Sequence, residues 1–275
     1  MKRILVLGAG GTVGKWITRC LSKSPDLTVF GRDDGEFNRH MVEVPWGHTS
    51  YDHQSSVFYD DYDLIYPAAA PLVTRYAGTR NALAPLPEVV AKCDDKALCA
   101  SLLGDLAPKT YWVRDTHGAG GSGARMASEY LPGENYAVEM VWHKGELDSY
   151  FMKERISYSA KERSEIVTGT AAVARCIDQG YLLDLAIDAL RRITPDPHGI
   201  FTVDFKYSET GIPKVTEVNA GKFATSSYPF YHDYWNLPLR AVELALDMEL
   251  TPFKEYPTGM TVIRGYDSWP FIGRV

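Results

Sequence analysis

A short apolar strand, a glycine-rich turn and a helix open the chain, and this order constrains its fold more than any other feature. The run Lys2–Leu7 is rich in leucine and β-branched residues, GAGGTVG follows it, and a helical pattern continues over Lys15–Leu21. Strand, glycine turn and helix in this order are typical of a parallel sheet with helices packed on it. Two more strands are predicted at Leu27–Gly31 and Leu64–Pro67, so the first part of the chain predicts a small α/β unit.

The first glycine loop leaves two interpretations open. GAGGTVG has the spacing of a dinucleotide fingerprint, and Arg32 or Asp33 could then meet a ribose or its phosphate. However, none of the 17 tyrosines is followed four positions later by lysine, which is the catalytic pair of short-chain reductases. The loop therefore predicts either an NAD(P)-dependent short-chain-type reductase or only a tight strand-to-helix crossover.

Composition and charge exclude some classes of function. The formal charge of −6 over 275 residues disfavours broad adhesion to nucleic acid, which relies on clustered lysine and arginine. The first apolar run breaks at Gly8, which is too early for a membrane span or a signal peptide, so we expect a cytoplasmic protein. The four cysteines match neither a disulfide framework nor a zinc site, and we expect them to be reduced and buried.

A second glycine loop lies in the middle of the chain. It follows a predicted strand, Thr110–Val113, and has four glycines within Gly118–Gly123. Such a loop, with its Ser122, can fold over triphosphate oxygens. The alternative is a solvated linker, but Arg114 and Arg125 flank the loop and a linker has no need of them.

Other elements are predicted from periodicity and turn residues. They are a helix over Pro87–Leu103, a long hairpin that turns at Lys144 and Gly145, a helix over Tyr181–Ile193, a helix near Leu239–Met248 and a strand at Met260–Tyr266.

An acidic hairpin is predicted in the last third of the chain. Its strands are Ile200–Tyr207 and Pro213–Asn219. Glu217 and Asn219 are two residues apart and therefore share one face of a strand, while Asp204 can meet them across the turn. Three oxygen ligands on one face suit Mg²⁺, which completes its shell with water and phosphate oxygens. The alternative is an amphipathic hairpin with solvated acidic residues.

Taken together, these segments resemble the ATP-grasp superfamily, most closely its carbamoyl-phosphate-synthetase-like carboxylate-amine ligases. GAGGTVG is similar to the pre-grasp domain, DDKALCASLL to the helix that begins the grasp region, and VRDTHGAGGSGAR to the nucleotide-binding strand and glycine lid. EYLPGENYAVE is similar to the adenine hinge and TEVNAGK to the Glu-x-Asn metal motif. The five segments in this order are more specific than any one of them.

The resemblance implies roles for individual residues. ATP would be bound by Lys96, Arg114, Gly118, Gly120, Gly121, Ser122, Gly123, Glu129, Tyr130, Leu131 and Glu134, and Mg²⁺ (or Mn²⁺) by Asp204, Glu217 and Asn219. Arg155 resembles the arginine that meets the transferred phosphate, and Lys222 stands where an arginine is usual after Glu-x-Asn. Arg264 would pair with a substrate carboxylate, and the aromatic tract Phe223–Pro238 lines the acceptor pocket or packs in the core.

The resemblance also implies a domain plan. We expect an α/β (α+β grasp) chain with a small Rossmann-like pre-grasp domain (1–88) and a trimmed two-lobed ATP-grasp domain. The small lobe with the lid would span 89–147 and the C-terminal lobe with the metal site 148–275. The small lobe is described as trimmed because only 17 residues separate Lys96 from Arg114.

The function implied is an ADP-forming, ATP-dependent carboxylate-amine ligase that works through an acyl phosphate. Its partners would be a small carboxylate and an amine, with no nucleic acid and no membrane, and relatives of this type suggest a homodimer. Two alternatives stay open, the NAD(P)-dependent reductase and a non-catalytic ATP-binding protein.

Overall fold

The computed structural model describes residues 1–32, 61–114, 124–158, 171–264 and 271–274. The strands are β1 (Lys2–Leu7), β2 (Leu27–Arg32), β3 (Leu64–Pro67), β4 (Thr110–Arg114), β5 (Ala124–Ser128), β6 (Asn135–His143), β7 (Glu146–Tyr158), β8 (Ala171–Ile177), β9 (Gly199–Tyr207), β10 (Pro213–Ala220), β11 (Thr261–Ile263) and β12 (Phe271–Gly273). The helices are α1 (Thr12–Leu21), α2 (Ala70–Tyr76), α3 (Pro87–Asp94), α4 (Lys96–Leu103), α5 (Gly180–Ile193), α6 (Tyr228–Asp233) and α7 (Leu237–Ala245).

The first three strands form a parallel sheet in the order β2-β1-β3, as the opening sequence predicts. The predicted limits of β1 and β3 are confirmed, and β2 is one residue longer than predicted. Apolar side chains alternate across β1, so that Ile4 and Val6 join one core cluster and Leu5 and Leu7 another. The period-two pattern therefore buries both faces of this small sheet.

A seven-stranded sheet forms the larger part of the chain, in the order β10-β9-β6-β7-β8-β11-β12. Its β6–β7 hairpin turns at Lys144 (φ 50°) and Gly145 (φ 83°), as predicted, because two successive positive φ angles match the twist of paired strands. One face packs on α5 through side chains such as Phe201 and Leu190, and the opposite face packs on α1, α6 and α7 through side chains such as Phe151. Strands β4 and β5 form a separate two-stranded sheet.

Several elements differ from the sequence-based expectation, and α1 begins three residues earlier than predicted. The single helix predicted over 87–103 is two helices, because Asp95 leaves the helical conformation and its carboxylate accepts the amide N–H groups of Ala97 and Leu98, both at 3.0 Å. Helix α7 starts and ends earlier than predicted, and β11 covers only Thr261–Ile263 of the strand expected at 260–266. Strands β5, β8 and β12 and helices α2 and α6 were not predicted.

The cysteines are confirmed as free and buried. Burial raises the pKa of the Cys93 thiol to about 12 and that of Cys99 to about 11, so these thiols are protonated near neutral pH. None of the described helices has both the length and the apolar character needed to span a bilayer.

The predicted domain limits stay a prediction. Strand β6 belongs to the same sheet as β7, so the expected limit between residues 147 and 148 falls within a strand of that hairpin.

Gly14 lies in the first turn of α1, where the helix passes close to the glycine loop. A Cβ at Gly14 would stand 2.1 Å from the carbonyl oxygen of Gly8, whereas a Cβ at Gly11 would stand 3.4 Å from the same atom. We expect Gly14→Ala to lower the free energy of unfolding by about 2 to 3 kcal/mol, because backbone atoms must move apart. Urea denaturation monitored by circular dichroism measures this change.

Gly11→Ala is the matched control, with an expected loss below about 1 kcal/mol. Equal losses in the two variants would contradict the close-packing role of Gly14.

Candidate functional site

The acidic hairpin forms as predicted, and its polar residues lie on one face of the sheet. In the β9–β10 register Glu217 stands opposite Asp204, and Asn219 stands opposite Thr202, with a bulge between Val215 and Glu217. Because directly opposite residues project to the same side of a sheet, these four polar residues share one face.

The same face continues across the neighbouring strands. Asn135 of β6 stands opposite Arg155 of β7, and Glu139 of β6 stands opposite Thr202 of β9. Lys153 is two residues from Arg155 and shares its side of the strand. We call this set the polar face. Its members are Asn135, Glu139, Lys153, Arg155, Thr202, Asp204, Glu217 and Asn219.

Arg155 of β7 links three strands of the polar face, because its side chain reaches β6 and β9. One guanidinium nitrogen donates to Asp204 Oδ1 at 2.6 Å and another to Asn135 Oδ1 at 2.9 Å. Burial lowers the pKa of Arg155, but the Asp204 carboxylate, together with Tyr158 and Glu139, raises it, so the pKa lies above its usual value. Arg155 is therefore a fixed cation with a defined orientation.

Lys96 is the first residue of α4, and its side chain lies close to Glu217, the second acidic residue of the hairpin. Its Nζ lies 3.6 Å from Glu217 Oε1, and the two side chains are 69% and 42% exposed. A pair this exposed contributes little to stability, so either group can exchange its partner for a ligand.

A cavity of about 800 Å³ lies against the polar face. One wall comes from the hairpin and β7, a second from the glycine loop and the Ala68–Ala70 segment, and a third from the loop that follows β10. The lining residues are Gly8, Gly11, Thr12, Val13, Gly14, Ala68, Ala69, Ala70, Asn135, Arg155, Tyr158, Ala171, Thr202, Asp204, Thr216, Glu217, Asn219, Lys222, Phe223, Ala224, Thr225, Ser226 and Arg264.

The glycine loop faces the acidic hairpin across this cavity. Gly8 has a positive φ of 77°, and the cap residue of α1, Gly11, leaves the helix N-terminus without a side-chain cap. The first N–H groups of a helix carry partial positive charge, which suits an anion in the cavity. The loop therefore does more than connect β1 to α1, since it forms one wall of the cavity.

The donor set of the hairpin fits a hard cation. Asp204, Glu217 and Asn219 all line the cavity and present carboxylate and amide oxygens. Within the described residues there is no group of three or more His, Cys, Asp or Glu side chains placed to hold a metal, so the third protein oxygen would come from Asn219. Each carboxylate lies beside a cation: Asp204 pairs with Arg155, and Glu217 pairs with Lys96.

Comparison with known proteins gives a fold assignment. No family model matches the chain, and no curated protein matches its sequence. Among solved structures, a protein from Archaeoglobus fulgidus assigned to the ATP-grasp superfamily is similar over 100% of both chains, at 15% identity and a TM-score of 0.66. The chain has the ATP-grasp fold.

Two other ATP-grasp structures are similar over most of the chain. L-amino acid ligase from Bacillus licheniformis matches 95% of this chain and 79% of its own, at 11% identity and a TM-score of 0.64. Phosphoribosylglycinamide synthetase from Anaerococcus prevotii matches 95% and 79%, at 10% identity and a TM-score of 0.69. Identities this low establish the fold alone.

The residues predicted for the adenine hinge of the ATP-grasp fold do not line the cavity. Glu129 contacts the residue that precedes β4, because its carboxylate accepts the amide N–H of Lys109 at 3.0 Å. Leu131 is buried, while Tyr130 is 63% exposed with Lys206 Nζ 5.5 Å from its ring centre. The Glu134 carbonyl accepts the amide N–H of Tyr207, at the end of β9. Their roles in binding adenine stay a prediction.

The predicted lid lies outside the described residues. This holds for Gly118, Gly120, Gly121, Ser122 and Gly123, and also for Asp33. Arg114 ends β4 opposite Ala124, and Arg32 ends β2 opposite Leu7. That the lid covers the cavity stays a prediction.

The three residues of the predicted catalytic set lie together at the cavity, and their catalytic roles stay a prediction. Arg155, Lys222 and Arg264, the predicted catalytic set, all line the cavity with the predicted metal ligands. The aromatic tract divides, because Phe223 to Ser226 line the cavity whereas Tyr228, Phe230 and Tyr231 are buried in the core.

A buried cluster behind the cavity was missed by sequence reasoning. Lys153 Nζ lies 3.0 Å from Glu139 Oε1, and both side chains are fully buried. Tyr231 donates its hydroxyl hydrogen to Glu139 Oε2 at 2.6 Å, and the Ser227 hydroxyl donates to Glu139 Oε1. Strand alternation could have placed Lys153 on the same side of the sheet as Arg155, but no local pattern indicates the contacts with Ser227 and Tyr231.

Burial lowers the pKa of Lys153 from 10.5 to about 8, although Glu139 opposes this shift. The unfolded chain therefore binds more protons at this site than the folded chain between these two pH values, and this lysine makes stability increase with pH across that window. Relative to Glu139→Gln/Lys153→Met, we expect the unfolding free energy of the wild type to rise by up to about 1.4 kcal/mol per pH unit.

Urea denaturation of both proteins at about pH 7 and about pH 9.5 measures the difference. A wild-type stability that falls relative to the double variant as the pH rises would contradict the lowered pKa.

Proposed function

We propose that this chain is an ADP-forming, ATP-dependent carboxylate-amine ligase that works through an acyl phosphate. One observation supports this most directly: the acidic hairpin, Arg155 and the glycine loop line a single cavity. Anionic and cationic groups that face each other across one space suit a metal-bound triphosphate beside a carboxylate. The ATP-grasp fold of ligases such as those from Bacillus licheniformis and Anaerococcus prevotii is consistent with this activity.

In the proposed reaction, an oxygen of the substrate carboxylate attacks the γ-phosphorus of ATP, and the bond to the ADP oxygen breaks. The amine nitrogen then attacks the acyl carbon and inorganic phosphate leaves. Arg155, already oriented by Asp204 and Asn135, would offset charge on the transferred phosphoryl group. Lys96 would release Glu217 and contact the triphosphate.

We assign Mg²⁺ binding to Asp204, Glu217 and Asn219. The set has two carboxylates and one amide oxygen, which leaves positions for water and phosphate oxygens. When bound there, Mg²⁺ would reduce the negative charge on the triphosphate and help to orient it. Lys222 and Arg264 would hold the substrate carboxylate on the other side of the cavity.

The substrates would be a small carboxylate and an amine, with neither nucleic acid nor membrane as a partner, in a cytoplasmic protein that forms a homodimer. The reductase alternative keeps one supporting observation, since its fingerprint loop lines the same cavity. A non-catalytic ATP-binding protein is the third candidate.

ADP release separates these candidates. We expect the purified protein with Mg-ATP to release ADP only when a carboxylate and an amine are supplied, in a panel of amino acids and small carboxylates read by a coupled enzyme assay. Tight ATP binding with no ADP from any pair would favour the non-catalytic protein. NADPH binding without any dependence on Mg-ATP would favour the reductase.

Glu217→Gln tests the metal assignment. The change removes a ligand charge at nearly constant volume, so we expect ADP release to fall at least about 100-fold while the thermal unfolding midpoint stays close to that of the wild type. Glu209→Gln, at an exposed acid in the turn of the same hairpin, is the matched control and should retain wild-type activity. Wild-type ADP release by Glu217→Gln would refute the assignment.

A further inference from the structure

Both carboxylate oxygens of Glu139 have several partners, although this side chain is fully buried. It accepts hydrogen bonds from the Ala224 amide at 2.9 Å, from the Tyr231 hydroxyl at 2.6 Å and from the Ser227 hydroxyl, and it pairs with Lys153. Lys153 also donates to Ser227. None of these side chains has a part in the phosphoryl transfer described above, so the cluster needs another explanation.

The partners of Glu139 point to the loop between β10 and α6, residues 221–227, which we call the β10–α6 loop. Ala224 and Ser227 belong to it, and a third anchor joins Thr202 Oγ1 to the carbonyl oxygen of Lys222 at 2.8 Å. All the anchors on the sheet side belong to the polar face. The buried end of the polar face therefore fixes this loop, while its exposed end carries the acidic hairpin.

The β10–α6 loop supplies a wall of the cavity. Lys222, Thr225 and Ser226 line it and carry an ammonium group and two hydroxyls. Ser226 is 2% exposed and lies at the wall of the cavity. An ammonium group with two hydroxyls is a donor set suited to a carboxylate.

We propose that Glu139 and Lys153 are positioning residues that hold the β10–α6 loop so that Lys222, Thr225 and Ser226 bind the carboxylate substrate. This inference rests on the ligase function proposed above. Glu139 and Lys153 are fully buried and do not touch the cavity themselves, so they act through the loop. Their loss should weaken carboxylate binding and leave Mg-ATP binding intact.

Glu139→Gln is the test, because it keeps the side-chain shape and removes the charge that four donors share. Hydrogen–deuterium exchange of peptides spanning residues 222–228 should become at least about tenfold faster. The dissociation constant for Mg-ATP, measured by titration calorimetry, should stay within about twofold of the wild type. With a carboxylate that supports ADP release, its KM should rise at least about tenfold while the KM for ATP does not change.

Glu243→Gln is the matched control. Glu243 is also a buried carboxylate, and it holds another loop by accepting the amide N–H of Thr251 at 3.1 Å and the Thr251 hydroxyl. It does not line the cavity. We expect this variant to lose stability while exchange over residues 222–228 and both KM values stay as in the wild type.

If Glu139→Gln does not fold, Glu139→Gln/Lys153→Met replaces it, because this double variant leaves no buried charge without a partner. The proposal is overturned if exchange over residues 222–228 stays within about twofold of the wild type, or if the two KM values rise together. If no carboxylate supports ADP release in the wild type, the ligase proposal fails, while the exchange result still decides whether Glu139 holds the loop.

Discussion

The antiparallel register of β10, β9, β6 and β7 is the constraint on which the rest of the site depends. It places Glu217 beside Asp204, and Asn135 beside Arg155, on one side of the sheet. A slip of one residue in any of these pairings would turn the polar side chains of that strand toward α5, where the apolar core of the other face lies. The apolar packing of α5 thus protects the register, and the register produces the polar face.

The ion pairs of the polar face differ in their exposure to solvent. At the open end, the Lys96–Glu217 pair is largely exposed, and its partners can be exchanged at little cost. At the buried end, the Glu139–Lys153 pair is shielded from water, where desolvation is offset only because hydroxyl and amide donors complete its hydrogen bonding. Between them Arg155 and Asp204 are each 14% exposed. The face is therefore adaptable where a nucleotide would enter and rigid where it supports a loop.

Much of the site was predictable, since strand alternation acts over short distances. The shared face of Glu217 and Asn219 follows from a spacing of two, and Asp204 reaches them across one turn. Aspartate favours an N-cap over a helix interior, but the helix break at Asp95 was missed because helical sequence continues directly on both sides of it. Glu139 and Lys153 were missed for a different reason: their role appears only through Ser227 and Tyr231, which lie far along the chain.

By itself, the sequence determined most of the strands, the glycine turn, the acidic hairpin and the set of polar residues that can share a face. These follow from periodicity and turn chemistry, which depend on neighbours along the chain. Only the tertiary structure decided that the glycine loop near the N-terminus faces the hairpin of the last third, and that the hinge segment of Glu129 lies outside this cavity. Such decisions depend on how apolar faces of distant segments pack, because burial is a property of the assembled core and not of any local pattern.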